Sequence, residues 1–349
     1  VEHPVTELIT GLDLVELQLR IATGERLPIT QEDVAVTGHA IEARVYAEDS
    51  FAGFLPQAGT ASVVRWPQRV RVDHALEPGQ VVSTAYDPML GKIIAYGSDR
   101  ESARRALVDA LDRTAILGLT TNVGFLRSLV AGSAFRDASI DTAWLDRTRV
   151  SEPEDDVARV FAAWASARSL IVTDGAETAP HPFQSDGWRS GAPPTPMTID
   201  LDRPVVVDRH LGRVDDVEVG EIEVSREELA LAVDGVLHRA VVDVRSDVTE
   251  VALRGQRFVF ERPDVLSDHA VAPGDGAVVA PMPGTILDVR VANGDQVAAG
   301  QVLIVVEAMK MEAALRAPFA GTVGDVDASV GRPVALGSVL CVVVPEEGE

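Results

Sequence analysis

A chain of 349 residues is too long for one ordinary domain and suits two or three, and a hydrophobic content of 46% lets each bury a core. Acids outnumber bases 54 to 31, and the formal charge of −23 repels phosphate backbones and anionic lipid surfaces, which argues against nucleic acid or membrane as a partner. No stretch approaches the ~20 apolar residues of a membrane span. The single cysteine, Cys341, sits between Leu340 and Val342, has no disulfide partner and reads as a small strand hydrophobe.

That cysteine usage, with no Cys/His spacing of a zinc site, fits a reducing, cytoplasmic compartment. The opening Val1-Glu2-His3-Pro4-Val5 has neither an initiator methionine nor a leader, and reads as the interior of a longer polypeptide whose targeting signal, if any, would lie upstream of Val1.

Leu12, Val15, Leu19 and Ala22 recur at helical spacing, with Gly24 beyond as a stop, and predict a first helix with an apolar face. Over residues 40–47, Ile41, Ala43 and Val45 alternate with Glu42, Arg44 and Tyr46, as in a half-buried strand. Two more short strands are predicted over 80–96, around Asp87-Pro88. Residues 102–117 predict an amphipathic helix with Ala103, Ala106, Leu107, Ala110, Leu111 and Thr114 on one stripe, and Asn122 starts another. Residues 155–170 predict a helix with Val157, Val160, Phe161, Trp164 and Ala165 on one face. A loop over 178–196, rich in Pro, Gly and Ser, carries Gly187-Trp188-Arg189. Short alternating strands over 197–262 then suggest a small antiparallel barrel or sandwich, followed by a linker over 263–276.

Residues 280–307 align with 317–344 at a constant shift of 37 residues and no gap. Ala-Pro-x-x-Gly-Thr recurs (280–285 and 317–322), as do Gly294 with Gly331, Val297-Ala298 with Val334-Ala335, and Gly300 with Gly337. Two copies of a unit too short to bury a core alone predict a pseudo-two-fold β-sandwich, with the glycines at turns that need positive φ. Between the copies lies Glu307-Ala308-Met309-Lys310-Met311-Glu312. Of the 31 basic residues only Lys92 and Lys310 are lysines. A chain that uses arginine elsewhere yet keeps this lysine between two methionines needs an amine there, because lysine can be acylated.

The hexapeptide resembles the biotinylation site of biotin carboxyl carrier domains. The resemblance implies covalent biotin on Lys310, with Met309 and Met311 recognised by a biotin protein ligase. A lipoyl domain shares the repeat but flanks its lysine with acidic or small residues. Val1-Glu2-His3-Pro4-Val5-Thr6-Glu7 resembles the active-site stretch of biotin carboxylases in the ATP-grasp superfamily. The runs Gly38 to Asp49, Tyr86 to Lys92 and Gly118 to Asn122 continue that resemblance across residues 1–147. It implies that Glu2 is the general base for bicarbonate, that Val1 offers its main-chain N–H to the same anion, and that Arg44 binds biotin and stabilises the enolate form of its ureido group. On the residues alone, Glu2 is also readable as a helix-entry carboxylate, Arg44 as a salt-bridged strand arginine, and His3 as structural. Lys92 is either structural or a source of local positive charge. The family's phosphate loop, ATP-binding lysines and magnesium-binding acids would precede Val1. ATP and Mg2+ are therefore expected in the full-length parent, and this chain alone is expected to be inactive, with no metal site of its own.

The central helix, the Gly-Trp-Arg loop and the strands after them resemble the interaction domain of acyl-CoA carboxylase α subunits. That implies a hetero-oligomer with a separate carboxyltransferase β subunit, which would supply the acyl-CoA site; Trp188 reads as either core or docking residue. The Asp186-Gly187-Trp188-Arg189 run is similar to 3-methylcrotonyl-CoA carboxylase α subunits first, and to propionyl- and acetyl-CoA carboxylases next. The expected fold is multidomain α+β: the C-terminal subdomain of an ATP-grasp biotin carboxylase (1–148), a helix plus small antiparallel β-barrel for subunit interaction (149–263), a linker (264–276), and a pseudo-two-fold β-sandwich of the biotinyl/lipoyl type (277–349). A non-catalytic carrier and docking module, or a lipoyl-bearing acyltransferase component, are the alternatives.

Overall fold

The computed structural model describes residues 2–83, 87–170, 195–225, 228–262, 276–308 and 311–345. The chain divides into two compact units, one of residues 1–46, 61–80 and 90–263 and one of residues 47–60, 81–89 and 264–349.

The first unit opens with helices α1 (Val5–Thr10) and α2 (Leu14–Ala22). Gly11, at φ 72°, ends α1, and Asp13 caps α2 by accepting from the Glu16 N–H at 2.8 Å. The periodicity of α2 is real, but the helix buries none of its residues, and Leu19 is 63% exposed. Amphipathic spacing makes a helix; burial needs a surface to pack on.

Next come strands β1 (His39–Tyr46), β2 (Val63–Arg65), β3 (Arg71–His74) and β4 (Met89–Gly97). They are followed by helix α3 (Arg100–Asp112), strand β5 (Ala115–Leu117) and helix α4 (Val123–Ala131). The main sheet is ordered β1-β4-β3, so β4 is central and β1 forms one edge, while β2 pairs antiparallel with β5. Strand β1 alternates as its sequence predicts, with Ala43 and Val45 buried and Glu42, Arg44 and Tyr46 half-buried on the opposite face. Helix α3 buries Ala103, Leu107, Ala110 and Leu111 and packs on β1.

Helix α5 (Asp156–Ser169) departs from the one-faced helix expected. Ala158, Val160, Phe161, Ala162, Ala163, Trp164, Ser166 and Ala167 are all buried, which takes in every side of the helix. It packs into a core with an eight-stranded antiparallel meander: β6 (Met197–Asp200), β7 (Pro204–Asp208), β8 (Arg213–Val214), β9 (Val217–Val224), β10 (Leu229–Val233), β11 (Val236–Val244), β12 (Val248–Leu253) and β13 (Gln256–Glu261). Alanine at four of the buried helical positions lets strands approach the helix axis closely, a packing choice that apolar periodicity does not encode.

A buried carboxylate ties this meander to the preceding segment. Glu250 on β12, its side chain 1% exposed, accepts from Arg257 Nε at 2.6 Å, from Arg245, and from the Gly118 N–H at 2.8 Å. Ala115 and Leu117 pack beside it against Val241 and Ala252. Burial alone would push the Glu250 carboxyl up, but its hydrogen bonds to Arg257, Gly118 and Arg245 outweigh that and hold it below the usual carboxylate range.

The second unit contains two short strand pairs, at residues 48–49 with 55–56 and 59–60 with 81–82, and a sandwich. The sandwich strands are β14 (Ala277–Val279), β15 (Gly284–Val289), β16 (Gln296–Val297), β17 (Val302–Ala308), β18 (Met311–Arg316), β19 (Gly321–Gly324), β20 (Pro333–Val334) and β21 (Val339–Pro345). One sheet runs β14-β21-β19-β16 and the other β18-β17-β15-β20. The 37-residue repeat relates the two orders strand for strand, so each half contributes two strands to each sheet. That is the pseudo-two-fold sandwich the repeat predicts. Val278, Ile286, Leu303, Ile304, Val306, Leu340, Cys341 and Val343 fill the space between. Burial pushes the Cys341 thiol up, as befits a core hydrophobe.

The repeat glycines have two separate jobs. Gly294, Gly300, Gly331 and Gly337 have φ of 93°, 78°, 84° and 78° and serve turns as expected. The equivalent pair Gly284 and Gly321 instead allow close strand approach: a Cβ at Gly284 would lie 2.5 Å from the Glu307 carbonyl oxygen, and one at Gly321 2.1 Å from that of Val344.

Candidate active site and carrier hairpin

The Glu2-His3 run and strand β1 meet at the Arg44 side chain. Its Nη2 lies 3.5 Å from Glu2 Oε1 and 3.1 Å from His3 Nδ1, and its Nε donates to Glu42 Oε1 at 3.3 Å. His3 stands between two carboxylates, 3.7 Å from Glu2 Oε1 and 3.9 Å from Glu42 Oε1. The structure thus brings together Glu2 and Arg44 and adds His3, which the sequence reading set aside as structural. Hydrogen bonding to Tyr46, then to Glu42, holds the Arg44 guanidinium above its ordinary value, so it is a permanent cation here.

The backbone under this cluster is fixed by groups that the sequence reading passed over. Strand β1 is an edge, so the outer N–H and C=O groups of residues 44–46 need other partners. The Asn122 amide supplies them: Nδ2 donates to the Arg44 carbonyl at 3.1 Å and Oδ1 accepts from the Tyr46 N–H at 2.9 Å. Asn122 also donates its own N–H to the Tyr46 carbonyl at 3.1 Å. This buried side chain does the work of a neighbouring strand and accounts for the Gly118–Asn122 motif. On the other flank, Glu7 accepts from Arg71 Nη1 at 2.6 Å and from the Leu14 N–H at 2.8 Å, anchoring α1 and the Glu2-His3-Pro4 run that leads into it. Lys92, in central strand β4 and 8% exposed, donates to the Glu2 carbonyl oxygen. Asn122 and Glu7 were legible only as motif members, because their partners lie 78 and 64 residues away.

Glu2 keeps 75% of its side chain exposed, and Arg44 keeps 35%. An accessible carboxylate beside a fixed guanidinium can take a proton from a small oxyanion while the cation holds negative charge that develops nearby. Val1 lies outside the described residues.

In the sandwich, β17 and β18 pair antiparallel from Val302↔Arg316 to Ala308↔Met311. The register therefore closes immediately beside Met309 and Lys310, which lie outside the described residues, as does Trp188. An amide-linked cofactor needs an amine, and the only lysine of the sandwich sequence falls between β17 and β18 in the chain. The sandwich residues fit such a group.

The biotin carboxylase C-terminal domain model matches residues 42–147, and the model described as biotin-requiring enzyme matches residues 276–343. The chain carries a biotin carboxylase C-terminal domain and a biotin-lipoyl domain. The ATP-binding domain model of the carbamoyl-phosphate synthase L chain also matches, at residues 1–30. Covalent biotin is the cofactor of the biotin-lipoyl domain. Over 90% of its length the chain is 34% identical to the mitochondrial propionyl-CoA carboxylase alpha chain of Caenorhabditis elegans, of which it covers 49%. Over the same share it is 31% identical to the mitochondrial methylcrotonoyl-CoA carboxylase subunit alpha of Dictyostelium discoideum, of which it covers 50%. The chain thus spans about half the length of the curated relatives it matches. It is also 39% identical to the Hydrogenobacter thermophilus 2-oxoglutarate carboxylase biotin carboxylase domain, covering 42% of this chain and 33% of that one, with a TM-score of 0.41.

These relatives overturn one expectation. The cytoplasmic compartment read from cysteine usage does not stand, because the carboxylase alpha subunits named above are mitochondrial proteins. A single buried cysteine has no partner for an internal disulfide and does not separate one compartment from another.

Proposed function

We propose that this chain is the C-terminal part of the α subunit of a biotin-dependent acyl-CoA carboxylase. The observation that carries the reading is the convergence of Glu2, His3 and Arg44 in a chain whose other end is a biotin-lipoyl domain. Biotin on Lys310 would carry a carboxyl group from the first site to a carboxyltransferase. In the first site Glu2 accepts the proton of bicarbonate, the Val1 N–H binds the same anion, and Arg44 orients the biotin ureido oxygen and stabilises negative charge there. ATP and Mg2+ belong to a preceding ATP-grasp region, a reading supported by the ATP-binding domain match over residues 1–30 and by the exposed apolar side chains of α2.

The expected boundaries at 148, 263 and 276 are kept as part of this proposal, with residues 149–263 as the docking domain for a carboxyltransferase β subunit and Trp188 as one of its contacts. Met309 and Met311 are read by a biotin protein ligase. The acyl-CoA binds on the β subunit, with 3-methylcrotonyl-CoA favoured and propionyl- or acetyl-CoA next. Affinity capture of the full-length protein through its biotin tests this: a co-purifying carboxyltransferase subunit and acyl-CoA-dependent carboxylation are expected. Capture without such a subunit, and no carboxylation across the three acyl-CoAs, would contradict it.

A further inference from the structure

Buried Lys92 and half-buried Glu42 are charged groups behind the site that the proposed chemistry does not use. We propose that they are its positioning residues: Lys92 holds the Glu2 main chain, Glu42 holds the Arg44 guanidinium, and neither touches bicarbonate or biotin. The inference rests on the assignment of Glu2 and Arg44 made above.

Lys92 sits on the central strand, between buried Gly91 and buried Ile93, and its ammonium donates to the Glu2 carbonyl oxygen. Removing an ammonium from water costs several kcal/mol unless it is well paired, and an apolar residue in a central strand would be more stable. A main-chain carbonyl is a modest partner for that charge. What the bond does achieve is to fix the Glu2-His3 peptide, and with it the direction in which the Glu2 side chain leaves the backbone. The position also explains the choice of residue. An ammonium is a compact point donor on an unbranched stem, whereas a guanidinium is a planar fork that needs several acceptors in one plane. In a chain that elsewhere uses arginine, Lys92 is the one basic residue besides Lys310 that is not arginine.

Glu42 lies two residues before Arg44 on the same face of β1, so the two side chains are neighbours by the pleat of the strand. Its side chain is 9% exposed; Oε1 accepts from Arg44 Nε, and the buried Oε2 has no hydrogen-bond partner among the described residues. Anchoring Nε leaves the terminal nitrogens of Arg44 pointing outward, where Nη2 meets Glu2 and His3. A half-satisfied buried carboxylate is a poor device for stability. It is a good one for aiming a guanidinium.

The test is steady-state kinetics of biotin carboxylation in the complete carboxylase, with free biotin and bicarbonate as substrates and Glu2→Gln as the reference. Lys92→Met and Glu42→Gln are expected each to lower kcat about tenfold or more, equivalent to roughly 1.4 kcal/mol of barrier, with the KM for ATP unchanged and the melting temperature not lowered. Lys92→Arg is expected to fail to restore kcat. If Glu2→Gln retains full activity, the underlying assignment fails. If Glu2→Gln is inactive while Lys92→Met and Glu42→Gln match the parent in kcat, the positioning proposal fails and the assignment stands. A kcat loss that only follows lost folded protein would also overturn it. Should Lys92→Met not fold, Glu42→Gln alone decides, by the same readouts.

Discussion

The front sheet and the terminal sandwich hold their candidate reactive groups in opposite ways. Around Arg44, side chains from four segments meet, and half-buried Glu42 with buried Lys92 and Asn122 set the position of partly exposed Glu2 and Arg44. In the sandwich, an apolar core built from two copies of one unit supports a ladder that ends beside a single lysine. A site that stabilises charge needs its groups fixed against each other within fractions of an ångström. A carrier needs its tethered group free to reach elsewhere, so its scaffold must be rigid only up to the hairpin. The two regions should therefore respond differently to substitution.

The largest expected effect is at the hairpin. Lys310→Arg should abolish streptavidin reactivity and overall carboxylation while leaving the circular dichroism spectrum and melting temperature intact; retained labelling would remove the carrier assignment. Next is the buried carboxylate that ties the meander to the front segment. Glu250→Ala leaves Arg257 without its carboxylate and Arg245 with Asp243 alone, and should destabilise by about 3–5 kcal/mol in denaturant unfolding. Because Glu250 is held below its ordinary range when folded, its stabilising contribution is present above that range and is lost as pH falls through the folded value. The stability gap between the parent and Glu250→Gln should therefore narrow on acidification; a gap that widened would contradict the sign.

In the full-length carboxylase, Arg44→Ala should slow biotin carboxylation by about 10²–10³-fold, the scale of losing one preorganised charge-stabilising donor. Biotin attachment at the far end of the chain should be unchanged, by streptavidin blot. Loss of both would mean that the two regions do not act separately. The smallest effect is in the sandwich core: Gly321→Ala should cost about 1–3 kcal/mol by overpacking against the Val344 carbonyl, measured as a shift in unfolding midpoint. An equal cost at Gly284→Ala would extend the pseudo-symmetry of the fold to its energetics.

The same contrast governs how much could be read in advance. The sandwich is repetitive, so one gapless alignment gives its strands and its turns. Only the role of Gly284 and Gly321 was misassigned to turns, because a close backbone approach leaves no mark that differs from a turn glycine. At the front, the residues proposed to meet ligand, Glu2 and Arg44, were legible from local motifs. The roles of Asn122, Glu7 and Lys92 were not, because they depend on partners 78, 64 and 90 residues away in the chain. Helix α5 shows the same limit: its apolar stripe predicted a helix, but the strands that enclose it lie beyond residue 196.

The most direct measurement is peptide mass spectrometry across residues 307–316 of the protein isolated from its native source. Biotin in amide linkage to Lys310 is the result this account predicts. An unmodified lysine in fully active protein, or a lipoyl group at that position, would contradict it.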